Sequence, residues 1–101
     1  MIVQGDVFFT ETEEIPKGAK PVARKVRGCV IAEGESTGHA HVVEDEVQLY
    51  EVEGVLYLHA GHKVEVRHEE HLPVTLSPGN WKVGIVREYD PFLEETRIVR
   101  D

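Results

Sequence analysis

The six histidines of this 101-residue chain all fall between positions 39 and 71. They are His39, His41, His59, His62, His68 and His71. Imidazole nitrogens bind Zn, Fe, Mn, Ni and Cu ions, and imidazole also exchanges protons near neutral pH. The concentration of histidines therefore predicts a site for a metal ion or for acid–base chemistry.

The first pair of histidines has the spacing His-x-His, with His39 and His41 on either side of Ala40. Side chains two residues apart on a β-strand project from the same face, so both imidazoles could bind one cation. The alternative interpretation is a pair of polar residues beside a turn.

Residues 68–71 read His-Glu-Glu-His and supply two more imidazoles and two carboxylates. A straight strand would point His68 and His71 to opposite faces, so both can serve one site only if the chain bends, as Pro73 favours. With such a bend, His68 or His71 would add a third nitrogen ligand to His39 and His41. The segment differs from the His-Glu-x-x-His helix of metalloproteases, because its second histidine comes one residue too early.

The segment around the first pair resembles the first motif of the cupin superfamily. Residues 34–41 read Gly-Glu-Ser-Thr-Gly-His-Ala-His, and Glu46 and Gly54 follow. The resemblance implies a double-stranded β-helix barrel holding a divalent transition metal (Zn, Mn, Fe or Ni), with His39, His41 and Glu46 as ligands. The second cupin motif is represented only by the turn at residues 77–80, because residues 81–86 contain no histidine. His68 or His71 would have to take the place of that ligand.

Four further residues are candidates for catalysis. Arg87 and Tyr89 could anchor an anionic substrate, because a guanidinium binds carboxylate or phosphate through paired donors. An ion pair across two strands is the alternative for Arg87. Glu69 and Glu70 could act as general acid or base beside a histidine.

The elements that must position these residues show period-2 alternation, with turn residues every 8 to 12 positions or so. This pattern predicts one all-β domain over residues 1–101, an antiparallel barrel or sandwich, and the resemblance favours the cupin-like form. The predicted strands are Asp6–Thr10, Pro21–Val26, Cys29–Ala32, His39–Val43, Val47–Val52, Val55–His59, Lys63–His68, Val74–Leu76, Trp81–Tyr89 and Arg97–Val99. A turn of helix is predicted at residues 90–95. Alternation also predicts that Trp81, Val83 and Ile85 share a buried face.

Composition narrows the function classes. A net charge of −8 and a pI near 5.2 argue against nucleic acid as a partner, although the segment from Lys17 to Arg27 is locally basic. The single cysteine, Cys29, excludes an intrachain disulfide and is expected to be a small buried residue. With no signal-like start and no membrane-length apolar run, the sequence predicts a cytoplasmic location. The charged fraction of 30% is typical of heat-adapted proteins.

Three functions compete at this point. The first is a metal-binding β-barrel, acting as an enzyme or as a sensor of a small-molecule ligand. The second is a metal-free binding or assembly module that forms a homodimer or other oligomer through exposed strand edges. The third is a metal-independent enzyme that uses histidine and glutamate as acid and base.

Overall fold

The computed structural model describes residues 1–25, 28–33 and 39–85 of the chain. All regular secondary structure in these residues is β-strand. The described residues contain no helix that could cross a membrane. The strands are β1 (Ile2–Gln4), β2 (Val7–Thr12), β3 (Lys20–Val22), β4 (Cys29–Glu33), β5 (Ala40–Val43), β6 (Gln48–Val52), β7 (Val55–Ala60), β8 (Val64–Arg67), β9 (Val74–Leu76) and β10 (Gly79–Ile85).

The strands form two antiparallel sheets. A six-stranded sheet has the order β1-β2-β10-β7-β6-β3, and a four-stranded sheet has the order β4-β5-β8-β9. Because both sheets end in edge strands, the described part of the chain is not a closed barrel. The all-β antiparallel prediction is confirmed, and the sandwich rather than the barrel describes the arrangement.

One hydrophobic core is shared by the two sheets. Val7 and Phe9 of β2 are fully buried, and Val64 and Val66 of β8 are buried with them. Their spacing of two is what a strand requires to direct every second side chain to one face. Cys29 is also buried in this core, as predicted.

Two short hairpins set the register of the strands. Gly5 has a φ of +61° in the two-residue loop between β1 and β2, where a positive φ at the first position is typical of a type II′ turn. Glu53 and Gly54 have φ values of 53° and 80° between β6 and β7, as a type I′ turn requires.

Several sequence predictions need correction. Strand β1 was not predicted, because three residues are too few to show a period. His39 lies just before β5 rather than inside it. Ile85 is 53% exposed although Trp81 and Val83 are buried. Pairing between β10 and β7 ends at Val83, so Ile85 lies beyond the part of β10 that β7 covers. The predictions for Arg87, Tyr89, the helical turn at 90–95 and the strand at 97–99 fall outside the described residues.

Candidate functional site

Four of the six histidines come together at one end of β5 and β8. Val42 pairs with Arg67 and Val43 with Val66, so continuing this register places His68 opposite His41. The chain turns after β8, and the turn brings His71 back beside them.

The ring contacts define what we call the histidine cluster, consisting of His39, His41, His68 and His71. The ring centroids of His41 and His68 lie 4.3 Å apart, and those of His68 and His71 lie 4.7 Å apart. The rings of His41 and His71 are nearly parallel at 6.3 Å, and His39 meets His68 edge-on at 5.8 Å. The approach of residues 68–71 to the His-x-His pair, predicted from the bend, is thus present.

His41 is the buried member of the cluster, with 4% of its surface exposed, and Gln4 fixes its orientation. The Gln4 amide nitrogen donates to the carbonyls of Val66 and Leu72, both at 2.9 Å. Its oxygen Oε1 must therefore accept, and it lies 2.8 Å from His41 Nδ1. It follows that His41 carries a proton on Nδ1, and that the neutral ring has its lone pair on Nε2.

This lone pair faces a carboxylate. Asp6, in the hairpin after β1, places Oδ1 3.3 Å from His41 Nε2. Burial lowers the pKa of His41 below its ordinary value, the charges of His68 and His71 act in the same direction, and Asp6 opposes them. The net effect favours the neutral ring. Its Nε2 lone pair and the carboxylate of Asp6 are then two acceptors that face each other, and they need a cation between them. A proton on Nε2 or a bound metal ion would satisfy both.

His71 packs against the same hairpin. A Cβ atom built on Gly5 would lie 2.6 Å from His71 Nε2, so the imidazole packs directly on the glycine. The positive φ of Gly5 favours glycine at this position, and a larger residue would also require the ring of His71 to move. This contact places His71 next to the turn that carries Asp6.

His68 is held differently from His41. The backbone N–H of Glu70 donates to His68 Nδ1 at 3.0 Å, so the neutral ring carries its proton on Nε2. With Nδ1 occupied and Nε2 protonated, His68 cannot bind a metal ion as it lies, and it would have to turn to do so.

The two glutamates between these histidines tie their loop to β5. Glu69 Oε1 accepts a hydrogen bond from the backbone N–H of Ala40 at 2.9 Å. Glu70 Oε2 lies 3.5 Å from Nδ1 of His39. Both predicted catalytic carboxylates therefore contact residues at the start of β5.

Glu46, the third ligand implied by the cupin resemblance, lies apart from the cluster. It is exposed in the loop that follows β5, whereas His41 lies at the start of that strand and His39 just before it. Arg24, from the basic segment, holds this loop by donating to the carbonyls of Glu44 and Asp45. The predicted ligand set of His39, His41 and Glu46 is therefore not assembled. Over residues 1–25, 28–33 and 39–85, no three His, Cys, Asp or Glu side chains stand close enough to hold one metal ion as they lie.

An open cleft of about 410 Å³ adjoins the cluster. It is lined by Ala40, Val42, Glu44, Arg67, His68 and Glu69. Arg67 is the cation of this cleft, and it lies 3.3 Å from the carboxylate of Glu65. The sequence prediction placed an anion-binding arginine at position 87 and did not consider position 67.

Gln4 and Asp6 are the site residues that the sequence reasoning missed. They flank Gly5 between two apolar runs, and a glycine in that setting is a recognisable hairpin signal. His59 and His62, in contrast, are not part of the cluster. His59 lies on β7, and His62 is exposed in the turn before β8.

The family model for a domain of unknown function, DUF8820, matches residues 3–86. The chain belongs to the DUF8820 family. No curated protein and no solved structure matches it. The matched span of the DUF8820 domain includes Gln4, Asp6 and all four histidines of the cluster, so the candidate site lies inside the family's own region.

Proposed function

We propose that this DUF8820 domain binds one divalent transition metal ion at the histidine cluster. The first two ligands would be His41 Nε2 and the carboxylate of Asp6, and the third would be His71. The observation that supports this proposal is the hydrogen bond from His41 Nδ1 to Gln4, which leaves the Nε2 lone pair directed at Asp6.

This arrangement is typical of a metal-binding histidine. Such residues usually donate their second ring nitrogen to a fixed oxygen, which sets the tautomer and the direction of the ring. Gln4 supplies this oxygen, and two backbone carbonyls hold it in place. Two ligands of a tetrahedral ion lie roughly 3.4 Å apart when each metal–ligand distance is about 2.1 Å. The separation of 3.3 Å between His41 Nε2 and Asp6 Oδ1 fits this value.

The third ligand requires a small movement. His71 is exposed and packs on Gly5, beside Asp6, so a rotation of its side chain is the shortest route to a third nitrogen. Three protein ligands leave a coordination position for water or a small molecule, as in catalytic metal sites. The adjoining cleft, which carries Arg67 together with the carboxylates of Glu44 and Glu69, gives a small polar ligand access to that position, which suits either an enzyme or a sensor.

The donor set limits the identity of the metal. Imidazole and carboxylate ligands suit Zn, Mn, Fe and Ni, whereas Mg and Ca prefer oxygen alone. A cupin-like double-stranded β-helix remains our proposal for the fold, supported by the two antiparallel sheets around one core. The proposed ligands differ from the cupin set, because Asp6 comes from the first hairpin and Glu46 is not used.

Metal analysis of tag-free protein with matched variants tests this proposal. We expect near-stoichiometric metal in the unmodified protein, and an affinity at least tenfold weaker in Asp6→Asn and in His41→Gln, because each loses a ligand. His62→Gln and Asp45→Asn are the matched controls, since both residues are exposed and lie outside the cluster. The proposal is wrong if Zn, Mn, Fe and Ni all fail to bind, or if the site variants bind as well as the controls.

A metal-free assembly module is the second candidate, and one observation favours it. Met1 and Val3 are 81% and 55% exposed on β1 or next to it, and β1 is an edge strand of its sheet in the described part of the chain. In that case a proton would take the place of the metal between His41 and Asp6. Sedimentation analysis would show a stable dimer whose mass does not change when a chelator is added.

A further inference from the structure

His59 occupies a second polar site, on the outer face of the six-stranded sheet. Its neighbours on β7, Leu58 and Ala60, are buried in the core, so His59 points to the opposite face. Gln48 of β6 and Asn80 of β10 are its register partners on either side. Three polar side chains therefore form a row across three strands.

Asn80 fixes the tautomer of His59. The Asn80 amide nitrogen donates to the carbonyl of Glu13 at 3.1 Å, so Oδ1 is the atom turned toward the imidazole. His59 Nδ1 lies 2.7 Å from this oxygen and must donate to it. The neutral ring then has its lone pair on Nε2, and no hydrogen bond from any described residue reaches that atom.

The connection between β2 and β3 lies beside Gln48 and His59 of this row, and together they form an open depression that we call the His59 cleft. Its volume is about 430 Å³, within the range of small-molecule sites. It is lined by Ile15, Pro16, Ala19, Gln48, Tyr50 and His59. Apart from the histidine, all of these side chains are uncharged, and the phenol of Tyr50 donates to Gln48 Oε1 at 3.4 Å.

We propose that the His59 cleft binds a small, uncharged aromatic molecule that carries one O–H or N–H donor. The donor would bond to His59 Nε2, and the ring would pack against Tyr50 and Pro16. A charged ligand is disfavoured, because the lining offers no fixed opposite charge to offset its loss of water. The proposal does not depend on the metal site.

Phenol and toluene are suitable probes, because they have nearly the same size and only phenol has a donor. We expect NMR titration of the full chain to show saturable shifts at His59 and Tyr50, with phenol binding about fivefold more tightly than toluene. In Asn80→Ala, the imidazole loses its fixed tautomer, and the preference for phenol should fall toward one. The control is His62→Gln, which changes an exposed histidine outside the cleft and should keep the preference.

Three results would overturn the proposal. Equal affinities for phenol and toluene would mean that the cleft is merely apolar. Shifts that do not centre on His59 and Tyr50 would place binding elsewhere. Nitrogen-15 spectra of the free protein that show the proton on Nε2 would contradict the fixed tautomer. The last measurement and the phenol-to-toluene ratio use the unmodified protein, so they decide the question even if Asn80→Ala does not fold.

Discussion

The histidine cluster and the His59 cleft use the same device in two different environments. In each, the oxygen of a side-chain amide accepts a hydrogen bond from the Nδ1–H of a histidine, Gln4 from His41 and Asn80 from His59. The amide nitrogen of Gln4 donates to two backbone carbonyls and that of Asn80 to one. His41 is buried and its Nε2 faces the carboxylate of Asp6, whereas His59 is half-buried in a cleft with uncharged walls. The amide sets the tautomer in both, and what lies opposite Nε2 decides whether the ring suits a cation or a neutral donor.

The difference in burial predicts the largest contrast between the two sites. Gln4→Leu removes the partner of His41 Nδ1 and leaves the buried carbonyl of Val66 without its donor. Each unsatisfied buried group costs about 1–3 kcal/mol, so we expect the free energy of unfolding to fall by about 3 kcal/mol. Asn80→Leu breaks partly exposed hydrogen bonds and should cost about 1 kcal/mol. Urea denaturation of both variants measures this, and equal losses would contradict the contrast.

The second prediction concerns Gly5, in the hairpin that carries Asp6. Gly5→Ala places a methyl group 2.6 Å from His71 Nε2 at a positive φ, and we expect it to cost about 2 kcal/mol of unfolding free energy. Gly54→Ala is the matched control, because Gly54 also has a positive φ but nothing within 4 Å of the added atom. Its cost should be about 1 kcal/mol, from backbone strain alone. Thermal melts of the two variants separate backbone strain from the collision with His71. If Gly5→Ala loses no more stability than Gly54→Ala, the side chain of His71 moves aside freely.

The sequence predicted the fold better than the site. Alternation located most of the described strands, because the core directs every second residue inward, as at Val64 and Val66. The bend that returns His71 toward His41 was a condition for a shared site, and Pro73 rather than the alternation favoured it. The alternation could not show whether the strands close into a barrel, since strand order is not encoded in a period.

The residues missed at the two sites share a physical reason. Gln4 and Asp6 are more than thirty residues from His41, and Asn80 is twenty-one residues from His59. Each contact depends on which strands become neighbours in the sheets, so the spacing of residues along the chain does not predict it. Glu46 is the opposite case. The spacing of the cupin motif suggested it as a ligand beside His41, but it lies in the loop after β5, whereas His41 lies at the start of that strand.

The smallest expected effect is the pH dependence of stability in metal-free protein. Because the pKa of folded His41 lies below 6.5, the unfolded chain binds more protons at mildly acidic pH. The stabilising contribution of neutral His41 is therefore complete above pH 6.5 and is lost as the pH falls through the lower pKa of the folded state. We expect the melting temperature to decrease over this range, and more steeply in Asp6→Asn, because Asp6 is the group that favours the protonated ring. His68 and His71, the other charges that face His41, lower its pKa and so act in the opposite direction to Asp6.

His41→Gln separates this effect from the titration of the remaining groups. A glutamine at position 41 does not titrate, so the part of the slope that His41 supplies should disappear. Melting curves at intervals from pH 8 to pH 5, recorded in the presence of a chelator, give the comparison. If the slopes of His41→Gln and the unmodified protein are the same, the pKa of His41 does not change on folding, and the expected pH dependence is wrong. If the unmodified protein instead gains stability relative to His41→Gln as the pH falls through 6.5, the folded ring keeps its proton. The contact between His41 Nε2 and Asp6 would then be an ion pair, and the space between them would not be available to a metal ion.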